Sequence, residues 1–236
     1  MIEVKDIIKI YAGKTVVNVP NLQINKGETI GLVGNNGAGK TTLFRMILDL
    51  IRPDKGEILS KGEVVAGAEH WKNYSAAYLD EGFLIDYLTP EEYLYFIGGL
   101  HGQAKAHVDD YLLTLKEFFN DEILKRGKYI RDLSKGNQAK VGVAACIMQK
   151  PELLMLDEPF ANIDPSTQIR LKNLLKDLNK QNGTTTIVSS HDLNHITDVS
   201  DRILLMEKGV IIKDIATSSS TLAELEDYFA VGQSSF

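Results

Sequence analysis

Residues 31–42 read GLVGNNGAGKTT, and within them Gly34, Gly39, Lys40 and Thr41 complete the spacing G-x-x-x-x-G-K-[ST]. The stretch follows the apolar, β-branched run ETIGLVG (28–34) and precedes KTTLFRMILDLI (40–51), which reads as a helix. A strand, a glycine loop and a helix in that order form a cradle for phosphate. The backbone N–H groups of Gly34, Asn35, Asn36, Gly37, Ala38 and Gly39 wrap the oxygens, Lys40 neutralises the terminal ones, and the Thr41 hydroxyl is a magnesium ligand. Thr42 completes the set at the start of the helix.

Working outward, short apolar runs keep alternating with helical segments: ELLMLDE (152–158) before TQIRLKNLLKDLNK (167–180), and TTTIVSS (184–190) before HDLNHITDV (191–199). That alternation predicts an α/β protein whose sheet is built from strand-helix crossovers. From about residue 89 to 149 the pattern is helical almost throughout, opening at Thr89-Pro90-Glu91-Glu92 with a capping threonine, a proline at the first helical position and a glutamate three residues after the cap. A helical segment is therefore expected to interrupt the α/β core. After the polar stretch at 217–220, LAELEDYF (222–229) predicts a C-terminal helix.

Two further stretches carry chemistry. LLMLDEPF (153–160) is a strand ending in Asp157 and Glu158. A carboxylate at the carboxyl end of a strand beside a phosphate loop is placed to bind magnesium, and Glu158 next to it can polarise an attacking water as general base. LSKGNQ (133–138) sets Ser134 and Gly136 at the start of the apolar helical run AKVGVAACIM (139–148), a helix N-terminus suited to an anion. A second anion site in a chain that already has the Lys40 loop calls for an explanation.

Composition narrows the classes. With 236 residues, 44% of them apolar, the chain can fill a large core. A net charge of −6 without a long Lys/Arg run gives no footprint for nucleic acid, so none is expected as partner. The single cysteine, Cys146, excludes an internal disulfide and reads as a small buried hydrophobe in a reducing compartment. MIEVKDIIKI (1–10) alternates like a strand rather than a signal peptide, and no apolar run approaches the roughly 18 residues that span a bilayer.

The order of these motifs resembles the ATP-binding subunits of ABC transporters, over nearly the whole chain. The resemblance implies one domain over 1–236: a P-loop NTPase core with a mixed sheet (about 1–88 and 150–236), an N-terminal antiparallel β subdomain, and an inserted α-helical subdomain (about 89–149). It implies ATP and Mg2+ as ligands and an ATPase that dimerises on ATP. LSKGNQ is similar to the family's LSGGQ signature, which closes over the ATP held by the other subunit, so Ser134 and Gly136 are expected to contact the γ-phosphate in trans. A plain helix cap at Ser134 is compatible with that role. By the same resemblance Tyr11 is the aromatic platform for adenine, though a lone tyrosine also suits a core. Asp164 in ANIDPS (161–166) is the D-loop aspartate, and equally a helix cap before Pro165. His191 is the switch histidine on the γ-phosphate. His191 and His195, four apart, also suggest a zinc helix, but that motif needs glutamate where Asp192 stands.

The chain departs from the family pattern in three places. Glu81 replaces the Q-loop glutamine and is expected as a magnesium ligand that takes part in catalysis. Lys135 replaces the first signature glycine, and Asn137 stands at the usual glutamine. Phe83, Leu84, Ile85 and Tyr87 are expected either to rim a groove for a partner helix or to pack in the core. The expected partners are a membrane-spanning permease subunit and a second ATPase subunit, identical or different, which would put the chain on the cytoplasmic face of the cell membrane. The SKG signature variant, the acidic Q-loop and the short tail LAELEDYF resemble the export-type branch, and the added regulatory domain of some sugar importers is not expected. A soluble ABC-type ATPase of translation, repair or cluster assembly is the alternative. A small P-loop kinase would explain Lys40 but not Ser134, Asp164 and His191 together.

Overall fold

The structure is a computed structural model that describes residues 1–79 and 84–232, with side chains described as far as residue 230. Two sheets carry it. The first is antiparallel, with strand order β2-β1-β4-β5, formed by β1 (Ile2–Tyr11), β2 (Lys14–Ile24), β4 (Lys55–Ser60) and β5 (Glu63–Val64). The second has the order β10-β9-β3-β8-β7-β6, with β3 (Thr29–Val33), β6 (Ser75–Tyr78), β7 (Leu153–Asp157), β8 (Thr185–Ser190) and β9 (Arg202–Glu207) parallel, and β10 (Val210–Ala216) antiparallel at one edge.

The inner strands β3 and β7 read as nearly continuous apolar runs because both faces of the sheet are covered there. Every residue of β3, β7 and β8 is buried. The pleat then deals alternate side chains to opposite cores. Leu154 and Leu156 of β7 pack with Val188 of β8 on the face under the helical insertion, among Leu94, Phe119 and Ile130. Leu153, Met155 and Ile187 face the other way, onto Phe44 of α1 (Lys40–Ile47) and onto Ile2, Val4 and Val17 of the antiparallel sheet. Each fully buried side chain of this size contributes roughly 1.5–3 kcal/mol, so the two cores clamp the sheet from both sides.

Between β6 and β7 lie α2 (Pro90–Leu100), α3 (Lys105–Thr114) and α4 (Lys135–Met148). Thr89 caps α2 as its sequence predicts: Glu92 N–H donates to the threonine hydroxyl and the Glu92 carboxylate accepts from Thr89 N–H. The expectation of helix almost throughout 89–149 needs correction, because residues 115–126 run as successive turns and bends and 127–129 are irregular. Asn120, Asp121, Lys125 and Gly127 there adopt positive φ, which ends each helical start. Phe118, Phe119 and Ile123 are nonetheless buried, so the apolar spacing that suggests a helix is met by turns packed on the core. The chain closes with α5 (Pro165–Asn182), α6 (Leu193–Val199) and α7 (Thr221–Gly232). Among the described residues no helix is long and apolar enough to cross a membrane.

Candidate nucleotide site

Parallel strands place their carboxyl ends on one edge of the sheet, where ligands bind in open α/β folds. Register makes this concrete: Val33 pairs with Ser190 and Asp157 with Ser189, so β3, β8 and β7 end level with one another. From β3 the chain enters the glycine loop. Gly34 has no room for a side chain, since a Cβ there would meet Met206 O at 2.2 Å, and Gly39 caps α1 at φ 107°. Gly209 N–H donates to Ala38 O at 2.8 Å and Gly209 O accepts from Asn18 N–H at 2.7 Å, so the turn after β9 splints the loop to the antiparallel sheet. Lys40 is almost wholly buried, its Nζ donating to Gly34 O at 2.6 Å and lying 3.4 Å from Glu158 Oε1.

Asp157 ends β7 and is buried. Thr41 donates its hydroxyl hydrogen to Asp157 Oδ2 at 2.5 Å, and the Ser189 hydroxyl donates to Oδ1. Burial pushes the Asp157 carboxyl above the usual aspartate range and the neighbouring Glu158 charge adds to the rise, while the two hydroxyls and Lys40 oppose it. A carboxylate and a hydroxyl side by side match the sparse protein donor set that Mg2+ takes when phosphates and water supply the rest. The donor set therefore fits that ion.

Glu158 sits at φ 49°, in the left-handed region, its N–H shared between the Ser189 hydroxyl (3.0 Å) and carbonyl (3.2 Å). This geometry turns its carboxylate across the sheet edge. Oε2 meets His191 Nδ1 at 2.9 Å, and the buried Oε1 has no hydrogen-bond donor, only the Lys40 charge beside it. His191, 60% exposed in its side chain, follows β8 and precedes Asp192, the N-cap of α6, so it lies outside the helix that a two-histidine zinc face requires. His195 packs on Phe160 instead, with ring centroids 4.7 Å apart.

Ser134 caps α4, its hydroxyl accepting from Asn137 N–H at 3.3 Å. Gly136 abuts the 161–164 loop so closely that a Cβ would meet Asn162 O at 2.1 Å. Asp164 caps α5 and holds the buried Lys140 of α4, Nζ to Oδ2 3.1 Å. Donated hydrogen bonds from Ser166 and Thr167 and from Lys140 hold the Asp164 carboxyl far below the ordinary aspartate range. A cleft of about 420 Å³ opens here, lined among others by Ser134, Gly136, Lys140, Asn162 and Asp164. No residue of the glycine loop or of the 157–158 pair lines it. One chain thus brings Lys40, Thr41, Asp157, Glu158 and His191 together and sets Ser134, Gly136 and Asp164 in a second place.

Tyr11 stands at the end of β1 with its ring half exposed, not in the core. Glu81 and Phe83 lie outside the described residues. Leu84 is buried in the core, whereas Ile85 and Tyr87 are exposed, so the core reading holds for Leu84 and not for the other two. Cys146 is buried, and burial pushes its thiol up to about 12. Sequence reading missed Ser189, Lys140, and Gln138, whose amide nitrogen ties Ile130 O and Leu133 O at 3.1 Å each. A serine at a strand end and a polar pair on an apolar helix give no motif to find.

Loop, carboxylate pair and strand-end histidine define a P-loop nucleotide-binding ATPase. The ABC transporter family profile matches residues 17–161. The bacitracin transport ATP-binding protein BcrA of Enterococcus faecalis is 33% identical over 224 residues, covering 92% of this chain and 70% of that one. The linearmycin resistance ATP-binding protein LnrL of Bacillus subtilis (strain 168) is 34% identical over 220 residues, with 90% and 68% covered. A solved ATP-binding subunit of an ABC transporter superposes with TM-score 0.82 at 26% identity over 98% of this chain and 93% of that one. A dimeric ATP-binding cassette in a post-hydrolysis state with ADP and phosphate shares the fold, with TM-score 0.83 at 23% identity over 93% and 100%. The chain belongs to the ABC transporter family, as an ATP-binding ATPase subunit.

Proposed function

We propose that two such subunits close head to tail on ATP, each site joining Lys40 of one chain to Ser134 and Gly136 of the other, and that closure drives a separate membrane-spanning partner. The observation that carries this is the separation of the two half-sites: the Ser134 cleft shares no residue with the glycine loop. An identical subunit or a second kind of ATPase subunit serves the geometry equally.

Within each site Lys40 turns from Glu158 to the β- and γ-phosphate oxygens, the Gly34–Gly39 amides cradle them, and Tyr11 stacks on adenine. Glu158 Oε1, buried without a donor, then accepts the proton of the attacking water, while His191 holds Oε2 and reaches the γ-phosphate. Thr41 and Asp157 would hold Mg2+, with Glu81 as a further ligand; when bound, the ion neutralises charge on the phosphate oxygens. Asp164 lies at the subunit interface.

The partner's helix docks beside residues 84–88, where exposed Ile85 and Tyr87 support an apolar contact. This holds the subunit peripherally on the cytoplasmic face of the membrane. Relatives named for bacitracin transport and linearmycin resistance support an export-type transporter.

A disulfide experiment tests the arrangement. Cysteines at Ser134 and Asn36, oxidised in ATP, are expected to give covalent dimers, with the buried Cys146 leaving the readout clean. A bond closed within single chains would overturn the head-to-tail reading.

A further inference from the structure

The tip of β1 is held by a side-chain clip outside the machinery above. Lys9, its side chain only 14% exposed, donates from Nζ to Arg52 O at 2.8 Å and to Asp54 Oδ1 at 3.3 Å. The other Asp54 oxygen accepts Ile10 N–H at 2.6 Å, and Asp54 N–H donates to Ile8 O at 2.7 Å. Regular pairing of β1 with β4 ends at Ile8 and Lys55, so the Asp54 carboxylate extends the ladder past the last backbone pair.

Directly beyond the clip comes Tyr11. Lys9 Nζ stands over its ring, 5.4 Å from the centroid, within cation–π range. Ala12 and Gly13, both at positive φ, close the hairpin with Tyr11 opposite Lys14. The hairpin lies against the phosphate loop, since Cβ atoms built on Gly39 and Gly209 would come within 2.9 and 2.4 Å of Val16 O. Tyr11 thus projects from a strand end fixed on both sides, with one ring face engaged and about half of the residue exposed.

We propose that Lys9 and Asp54 are positioning residues for the nucleotide base. They fix the Tyr11 ring before ATP arrives, so that stacking does not have to order it; this rests on the reading of Tyr11 as the adenine platform. Preordering of this kind strengthens binding without touching the phosphates. An exposed ion pair alone would do little, but here the lysine stem is largely covered and four hydrogen bonds converge on one strand end.

The test compares two ligands on the full-length chain by calorimetry: Mg-ATP, which has the base, and inorganic triphosphate with Mg2+, which does not. Lys9→Met and Asp54→Ala are expected to raise the ATP Kd roughly three- to tenfold and leave the triphosphate Kd unchanged. Lys9→Met should raise KM with kcat at saturating ATP retained, and Lys9→Arg should restore most of the loss. Tyr11→Ala serves as reference and is expected to weaken ATP alone. If Tyr11→Ala weakens ATP while the clip variants do not, the positioning role is overturned and Tyr11 stands. If Tyr11→Ala leaves both ligands unaffected, the base-platform reading falls and takes the clip with it. Equal weakening of both ligands by Lys9→Met would make the clip merely structural and also overturn the proposal.

Discussion

His191 Nδ1 lies 2.9 Å from Glu158 Oε2, so the residue after β8 braces the residue after β7 across the sheet edge. Replacing Glu158 with Gln keeps the shape but removes the base. ATP binding is expected to persist, the ATP-bound dimer to accumulate, and kcat to fall by about 10²–10⁴. Phosphate-release kinetics with size-exclusion chromatography in ATP checks both; turnover close to wild type would remove Glu158 as the base.

Lys40→Ala deletes the charge beside Gly34 O and Glu158. Hydrogen bonds to charged groups contribute about 1.5–3 kcal/mol each, so ATP affinity is expected to drop by at least tenfold. Calorimetric titration measures it, and an unchanged Kd would detach Lys40 from the phosphates.

Gly136→Ala drives a Cβ to within 2.1 Å of Asn162 O, a contact relieved only by moving the 161–164 loop away from α4. Overpacking costs roughly 1–3 kcal/mol. The monomer should still bind ATP through Lys40, while ATP-dependent dimerisation and turnover are lost together. Ser134→Arg is expected to act likewise by blocking closure. An ATP-stable dimer of either variant, seen by light scattering, contradicts the assignment of this surface.

Asp164 makes stability depend on pH. Its folded pKa is depressed, so its contribution is complete above the ordinary aspartate value near 3.8 and is lost as pH falls below it. Asp164→Ala removes the α5 cap at a cost of about 1 kcal/mol and leaves the buried Lys140 without that carboxylate. Thermal melts should show a gap of a few degrees between wild type and variant at pH 7 that narrows as pH falls through the range below 4. A gap constant with pH would deny the charge its role.

The site's residues announced themselves where chemistry demands a spacing. Gly34 and Gly39 are forced by close approach to Met206 O and Val16 O, and Gly37 by its positive φ. Thr89, Pro90 and Glu92 likewise encode a helix start within four residues. Legibility failed where a role depends on partners distant in sequence. Ser189 acts because β8 lies between β3 and β7, Lys140 because α4 crosses the start of α5, and Asp54 because β4 begins beside Ile10. The turns at 115–126 were hidden for another reason. Lys125 carries positive φ with nothing in its type to mark it, and the turn-tolerant pair Asn120-Asp121 is outweighed in the sequence by the apolar spacing of Phe118, Phe119 and Ile123.

Glu158 is the same kind of residue, at φ 49°. Left-handed backbone costs a side chain with a Cβ about 1–2 kcal/mol relative to the right-handed region, a penalty glycine escapes and asparagine partly does. The Glu158 carboxylate therefore occupies a position where the backbone alone would favour a different residue. On the proposal that Glu158 is the base, glycine or asparagine there would relieve the backbone and stop turnover, so sturdiness and activity pull this position in opposite directions.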